Sequence, residues 1–225
     1  MNRFTGSLPF VVVLFLLCAI LGTTGCGSSS GTRIRVLQGS PSHSTITVLI
    51  NGSAIANNLA YATDTGYFSV SSSSPHLQIE LPGSSTAVID QTPSLAGDST
   101  FITVTSAGTF TGFLVADDNS APSSGNVKLR ILNASANLPS ADVYIVQPGG
   151  NIGGSPTISG LLFQNASSYQ SLAAGSYEIF LALPGTKTIA IDSGTVTLTA
   201  GQIRTLAAID TLSSGSSLVT LKDMN

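Results

Sequence analysis

The sequence predicts an all-β protein with two tandem immunoglobulin-like Greek-key β-sandwiches after an N-terminal signal peptide. Three observations support this fold class. Apolar and polar residues alternate with a period of two, the two halves of the chain repeat one another, and short turn motifs separate the apolar segments. After residue 30, no apolar pattern with helical period continues for more than about two turns.

Residues 1–25 have the three parts of a secretory signal peptide. Arg3 provides the positive start, residues 10–21 are continuously apolar, and small residues precede Cys26. A helix of that apolar length spans about 18 Å, whereas a bilayer core measures about 30 Å. The segment is therefore predicted to be a cleaved leader and not a permanent transmembrane helix.

The Gly25-Cys26 pair resembles a bacterial lipobox, in which the cysteine receives diacylglycerol before signal peptidase cuts in front of it. The resemblance implies lipidation at Cys26 and a membrane anchor, because two or three acyl chains hold a protein stably. Residues 26–32 then form a Gly/Ser-rich tether, and Gly27 favours the outer membrane by analogy. The alternative is an ordinary signal peptide with an incidental Cys26.

The rest of the chain contains an internal repeat. Residues 33–38 correspond to residues 128–133, and Tyr67 corresponds to Tyr169. The spacing between equivalent residues increases along the chain, which predicts an insertion in a loop of the second half near residues 148–151.

The repeat predicts two β-sandwich domains, residues 33–116 and residues 127–225. Residues 117–126 are polar and include Pro and Gly, which is typical of a linker. About seven or eight candidate strands in each half favour a sandwich over a single barrel.

Period-two alternation identifies the buried faces of the strands. The first half places Ile46, Val48 and Ile50 on one face, and the second half places Tyr177, Ile179, Leu181 and Leu183 on one face. The pairs Asn51-Gly52, Pro82-Gly83 and Pro184-Gly185 predict tight turns between strands.

Both halves resemble the bacterial family known as domain of unknown function 4397. The second half carries the resemblance at Arg130–Ser135 and Asp142–Ile145, whereas the first half has Ser44–Val48 in place of the Asp-Val-Tyr element. The resemblance implies immunoglobulin-like β-sandwiches on exported or surface proteins. It implies no catalytic residues and no established ligand.

Composition limits the possible functions. The net charge is −3 and the charged residues are scattered, so nucleic acid is not an expected partner. The two cysteines, Cys18 and Cys26, lie in the leader region, which leaves no thiol in the domains. His43 follows a serine but is not expected to be catalytic, and His76 is expected to face solvent. We predict no enzyme activity, no cofactor and no metal site.

Several polar and aromatic residues have two interpretations. Asp117, Asp118 and Asn119 could bind calcium between domains, but solvated linker side chains are the favoured interpretation. Asp90 and Asp192 are expected to bond nearby backbone amides. Five aromatic residues could form a sugar-stacking platform, but filling the core or rim is favoured; they are Tyr61, Tyr67, Phe68, Tyr144 and Tyr169.

The sequence therefore predicts a non-enzymatic cell-envelope lipoprotein. Its sandwiches would act as a spacer or binding module that presents loops to an envelope protein or polysaccharide. The alternative is a glycan-binding or carbohydrate-processing accessory domain, which needs an exposed aromatic platform or a pair of carboxylates about 5 to 9.5 Å apart.

Overall fold

The computed structural model describes residues 1–2 and 31–224. Cys26, almost all of the predicted signal peptide and most of the tether lie outside the described residues. The described residues form seventeen β-strands in four sheets and no helix. No helical segment that could span a bilayer is therefore found among the described residues.

The first domain contains eight strands, separated by short loops. They are β1 (Arg33–Gln38), β2 (Thr45–Ile50), β3 (Ser53–Ala60), β4 (Phe68–Ser69), β5 (Leu77–Glu80), β6 (Ala87–Gln91), β7 (Ser99–Ser106) and β8 (Thr109–Ala116).

The second domain contains nine strands. They are β9 (Asn126–Ala134), β10 (Ser140–Val146), β11 (Ile158–Leu162), β12 (Asn165–Ala166), β13 (Gln170–Ala173), β14 (Gly175–Ala182), β15 (Ile189–Leu198), β16 (Ile203–Asp210) and β17 (Ser216–Met224).

The two domains share one topology, which confirms the prediction of tandem β-sandwiches. In the first domain one sheet has the order β4-β1-β7-β8 and the other β3-β2-β5-β6. In the second domain the orders are β12-β9-β16-β17, with β13 also paired to β9, and β11-β10-β14-β15. The first strand of each domain runs parallel to the seventh strand or its equivalent, β1 to β7 and β9 to β16.

Turn chemistry fixes the hairpins where the sequence predicted them. Asn51 and Gly52 have φ angles of 51° and 76°, and they join β2 to β3. Positive φ at both central residues is the geometry that asparagine and glycine tolerate in a two-residue hairpin. Gly83 and Gly185 also have positive φ, between β5 and β6 and between β14 and β15.

Each sandwich has its own apolar core. Ile46, Val48 and Ile50 face the first core, as the alternation predicted. Tyr177, Ile179 and Leu181 face the second core. The prediction for Leu183 is wrong, because β14 ends at Ala182 and Leu183 is 42% exposed.

The sheets that contain β1 and β9 pack against each other, so the four sheets form stacked layers. We name these two the inner sheets and the other two the outer sheets. The apolar contact between the inner sheets includes Leu37, Ile102, Leu132 and Ile209. As a result β9 and β16 are buried along almost their whole length, because one face meets the core and the other meets the neighbouring domain.

The predicted insertion lies in the loop between β10 and β11 of the second domain. Ile152 of this loop packs on Tyr144, Phe180 and Ala182, on the face of the outer sheet that points away from the core. The insertion therefore builds a small second apolar cluster, which we name the outer cluster.

Candidate functional site

Four charged side chains from both domains meet between the inner sheets. Arg35 of the first domain lies 2.6 Å from Asp223 of the second domain. Arg130 of the second domain lies 2.5 Å from Asp117, which follows β8 of the first domain. These side chains are at most 2% exposed. Each domain thus neutralises the arginine of the other, and we name this group the crossed charge cluster.

Asp117 is held by further hydrogen bonds. Thr100 Oγ1 donates to Asp117 Oδ2 at 2.6 Å, and Tyr67 donates through its hydroxyl at 2.7 Å. Arg35 lies 3.9 Å from the same oxygen. Because Arg130 occupies the other carboxylate oxygen, both oxygens of Asp117 are engaged.

The second domain repeats this arrangement around Asp223. Thr205 Oγ1 donates to Asp223 Oδ2 at 2.6 Å, and the Tyr169 hydroxyl donates at 3.0 Å. Arg35 binds the other oxygen. The cluster therefore has approximate twofold symmetry, with corresponding residues from the two repeats in corresponding places.

The two tyrosines also cover the arginines. The guanidinium carbon of Arg35 lies 4.6 Å from the Tyr67 ring centroid, and that of Arg130 lies 4.7 Å from the Tyr169 ring centroid. Burial raises the pKa of both hydroxyls above the usual value, so they remain protonated donors at neutral pH. Such cation–π contacts contribute more when water is excluded.

This geometry explains how the two domains are held together. Both carboxylates accept hydrogen bonds at each oxygen, and both guanidinium groups are paired. A buried ion pair becomes strongly destabilising when one partner is removed, by about 3–5 kcal/mol. The cluster therefore makes the relative position of the two domains specific.

The interpretation of Asp117, Asp118 and Asn119 as solvated linker residues is wrong for two of the three. Asp117 is fully buried in the crossed charge cluster. Asn119 donates to Asp98 at 2.7 Å, whereas Asp118 is 58% exposed and pairs with Lys128. Calcium binding through Asp117 is also disfavoured, because both of its carboxylate oxygens already accept hydrogen bonds from arginine and hydroxyl donors. Among residues 31–224, no group of three or more metal-ligating side chains is close enough to hold an ion.

The two equivalent aspartates at the outer sheets behave differently. Asp192 accepts a hydrogen bond from the backbone amide of Gly194 at 2.8 Å, which confirms the prediction. The prediction is wrong for Asp90, whose carboxylate lies opposite β5 and accepts from His76 at 2.5 Å and Gln78 at 3.0 Å. A cross-strand partner thus replaces the local amide.

The two histidines have separate surroundings. His76 is 43% exposed, directly before β5, which confirms its solvent-facing position. The ring of His43 packs edge-on against Phe110 with 4.6 Å between centroids. Ser42 instead lies 2.7 Å from Thr105 Oγ1, so Ser42 and His43 are engaged by different neighbours.

The core-or-rim interpretation of the aromatic residues is confirmed for the tyrosines. Tyr67 and Tyr169 lie against arginines, Tyr144 is only 3% exposed, and Tyr61 donates to the backbone carbonyl of Asp210. Phe68 differs, since it is 43% exposed. One exposed ring does not make a stacking platform.

A polar groove of about 440 Å³ lies beside the outer cluster of the second domain. Lys187 Nζ lies 2.7 Å from the Tyr144 hydroxyl and also donates to the carbonyl of Gly154. Asp142 accepts from the amides of Gly185 and Gly160, both at 2.8 Å, and these bonds hold the pKa of its carboxyl below the usual range. The Asp-Val-Tyr element therefore anchors the loops of the second domain.

The sequence did not reveal the crossed charge cluster. One signal was available, since Arg35 and Arg130 stand at equivalent places, each directly between two aliphatic residues that face a core. An arginine in a buried strand requires a partner charge. The partner could not be identified from sequence, because Asp223 lies 188 residues from Arg35.

These features define a class: an all-β protein of two repeated sandwiches fastened through a buried, symmetric ion cluster. The chain belongs to the domain of unknown function family DUF4397, whose profile matches residues 32–144 and 133–225. The family resemblance is thereby confirmed over nearly the whole described part of the chain.

Other comparisons give weaker similarity. No curated protein matches the chain. A structure described as alpha-glucan binding by a streptococcal virulence factor has 9% identity, with 78% of this chain and 93% of that chain covered and a TM-score of 0.26. A leucine-rich repeat protein from Bacteroides thetaiotaomicron has 12% identity, with 77% of this chain and 25% of that chain covered and a TM-score of 0.21. Similarity at this level says nothing about the function.

Proposed function

We propose that this chain is an exported lipoprotein of the cell envelope, anchored at Cys26 to the outer membrane or cell surface. Its two sandwiches act as a rigid, non-enzymatic spacer and binding module for an envelope protein or polysaccharide. The observation that carries the proposal is the apolar leader that ends in Gly25-Cys26, followed by a Gly/Ser-rich tether.

The position of the tether is compatible with this function. Gly31 lines a groove of about 400 Å³ together with Met224 and with linker residues such as Asp118. Gly31, the last described residue and the linker thus lie at one end of the two-domain unit. We name it the tether end, and the loops at the opposite end would point away from the membrane.

The surroundings of the aromatic residues favour a spacer and binding module over a glycan accessory domain. Tyr67 and Tyr169 pack against arginines, and Tyr144 is covered by the inserted loop. Flat, exposed aromatic faces are the feature that stacks on a sugar ring, and these tyrosines are used within the protein.

Metabolic labelling with an alkyne analogue of palmitate tests the anchor. The full chain is expressed in a bacterial host as wild type, Cys26→Ser and Cys18→Ser, and each is separated into membrane and soluble fractions. We expect label and membrane association for wild type and Cys18→Ser, and neither for mature Cys26→Ser. Label that persists in Cys26→Ser, or wild-type protein that is soluble and unlabelled, would contradict the proposal.

Crosslinking in intact cells tests the binding role. A tagged wild-type protein should recover a specific envelope component that Cys26→Ser, released from the membrane, does not recover. Recovery of the same background from both proteins would contradict a tethered binding module.

A further inference from the structure

The far end of the two-domain unit, opposite the tether end, carries a groove formed by both domains. In the inner sheets β1 runs parallel to β7, and β9 runs parallel to β16. The two strands of each pair therefore end at the same edge of their sheet, and all four strands end at the far end. The groove measures about 300 Å³ and includes Ser42 and Thr105 of the first domain and Asn137, Asp210 and Leu212 of the second. We name it the far-end groove.

The far-end groove lies where the two repeats place equivalent residues side by side. Thr105 in β7 and Asp210 in β16 are each five residues beyond the threonine of the crossed charge cluster. Thr105 Oγ1 lies 2.6 Å from the hydroxyl of Ser40, and Asp210 Oδ1 lies 2.5 Å from the hydroxyl of Ser135. The second repeat thus holds a carboxylate where the first holds a hydroxyl.

Asp210 differs from the other deeply buried acids at the domain interface. It is 8% exposed and accepts from Ser135 Oγ and from the backbone amide of Asn137, both through Oδ1. Within residues 31–224 it has no ion pair, in contrast to Asp117 and Asp223. A buried carboxylate is unfavourable unless a cation or enough donors compensate it.

The lining of the far-end groove contains no lysine or arginine. Its polar groups are hydroxyls, an amide and the carboxylate of Asp210, and Leu212 at its margin is 81% exposed. An ammonium group donates three hydrogen bonds and carries the positive charge that Asp210 does not receive from the lining of the groove. The apolar stem of a lysine side chain can pack against the exposed Leu212.

We propose that the far-end groove binds a lysine side chain of a partner polypeptide, with its ammonium group paired to Asp210. The hydroxyls of Ser42 and Thr105 accept its remaining hydrogen bonds. Only the outward orientation of the groove rests on the proposed lipid anchor; the ammonium site depends on the folded domains alone.

Isothermal titration calorimetry of the full chain in detergent, with N-acetyl-trilysine amide as the probe, tests this proposal. We expect Asp210→Asn to weaken binding about tenfold or more, because it removes a charge-assisted hydrogen bond but keeps the shape. Asp192→Asn, an exposed aspartate of the same domain, should bind like wild type. Equal affinity of wild type and Asp210→Asn would overturn the proposal, as would equal binding of acetyl-triglutamine amide.

Two further variants keep the test decisive if Asp210→Asn unfolds. Thr105→Asp places a second carboxylate at the equivalent position and should tighten trilysine binding; unchanged or weaker binding would overturn the proposal. Cys26→Ser, which has no site for the lipid, should bind trilysine like wild type. This result would separate the ammonium site from the proposed lipid anchor. Tighter binding of a glucosamine oligomer than of trilysine would reject the polypeptide as the source of the ammonium group.

Discussion

The two domains are alike in the crossed charge cluster and different on their outer sheets. At their interface the first domain contributes Arg35 and Asp117, and the second contributes Arg130 and Asp223 in the same geometry. On the outer sheets, Phe180 of β14 belongs to an apolar cluster, whereas the equivalent Gln78 of β5 is paired to an exposed aspartate.

This difference shows which constraints act on a repeated fold. A residue of the crossed charge cluster must match both its own domain and the other domain, and the two repeats have the same residue types there. A residue on an outer sheet must match only its own loops. The inserted loop of the second domain could therefore acquire Ile152 and convert a polar face into the outer cluster.

The largest predicted effect on the free energy of unfolding comes from removing one carboxylate of the crossed charge cluster. Asp117→Ala and Asp223→Ala should each lower the free energy of unfolding by about 3–5 kcal/mol, because each leaves a buried arginine without its partner. Urea denaturation followed by circular dichroism measures this effect. The exposed Asp192→Asn is the control, because its amide oxygen can still accept from the Gly194 amide, and it should change stability by less than about 0.5 kcal/mol. A loss below about 1 kcal/mol for either buried aspartate would contradict the structural role.

The next largest effect is expected from a substitution in the outer cluster, a feature of the second domain. Phe180→Ala should lower the free energy of unfolding by about 3 kcal/mol, because a nearly buried ring leaves a cavity beneath the inserted loop. Limited proteolysis should then cut near residues 147–157 faster. Gln78→Ala at the equivalent place should change neither property. Equal protease sensitivity of both variants would argue against a covering role for Ile152.

A further difference lies within the two cores, where the first repeat pairs a large side chain with a glycine and the second pairs two leucines. A Cβ atom on Gly112 would lie 2.4 Å from the ring of Phe101, whereas the strand registers place Leu218 and Leu206 at the equivalent positions. Gly112→Ala should therefore destabilise the protein by about 1–3 kcal/mol through overpacking.

Phe101→Leu tests this further, because it removes the ring that a Cβ atom on Gly112 would meet and leaves only the Ile102 carbonyl oxygen, at 2.9 Å. The double variant should be more stable than the sum of the two single effects predicts, with a coupling of at least about 0.5 kcal/mol by urea denaturation. Strictly additive effects would show that the ring and the glycine do not restrict each other.

The smallest predicted effect concerns the linker. Hydrogen bonds from Lys128 and from Ser120 lower the pKa of Asp118 to about 2. A lowered pKa means that the ionised form is favoured by folding, so the contribution is complete above the usual value of 3.8 and is lost as the pH falls to about 2. Since Asp118 is 58% exposed, the contribution should stay below about 1 kcal/mol. NMR titration of the carboxyl carbon, with Asp118→Asn to assign it, measures the pKa; a value near 4 would refute the pairing.

Local features of the fold were predictable because they depend on neighbouring residues. Asn51-Gly52 specifies a hairpin through its own backbone preferences, and alternation in β2 specifies the face that meets the core. The repeat itself followed from matching short segments. These signals were sufficient for the two sandwiches and for the place of the insertion.

Features that depend on contact between domains were not predictable. The alternation rule fails for β16, since the second face of that strand is covered by the other domain. Likewise, the polar run of residues 117–126 indicates a solvated linker, whereas Asp117 pairs with Arg130 of the next domain. In such cases the sequence shows neither that the side chain is buried nor which surface covers it.

The positions of the tether end and the far-end groove determine how the protein would carry mechanical load. A pull between the tether at residue 31 and a partner in the far-end groove would act along the strands. The backbone hydrogen bonds of β1 with β4 and β7 lie across that direction, so they would be loaded in shear, all together. Single-molecule pulling from residue 31 against an attachment at Leu212 should therefore give a higher rupture force than pulling across the sheet.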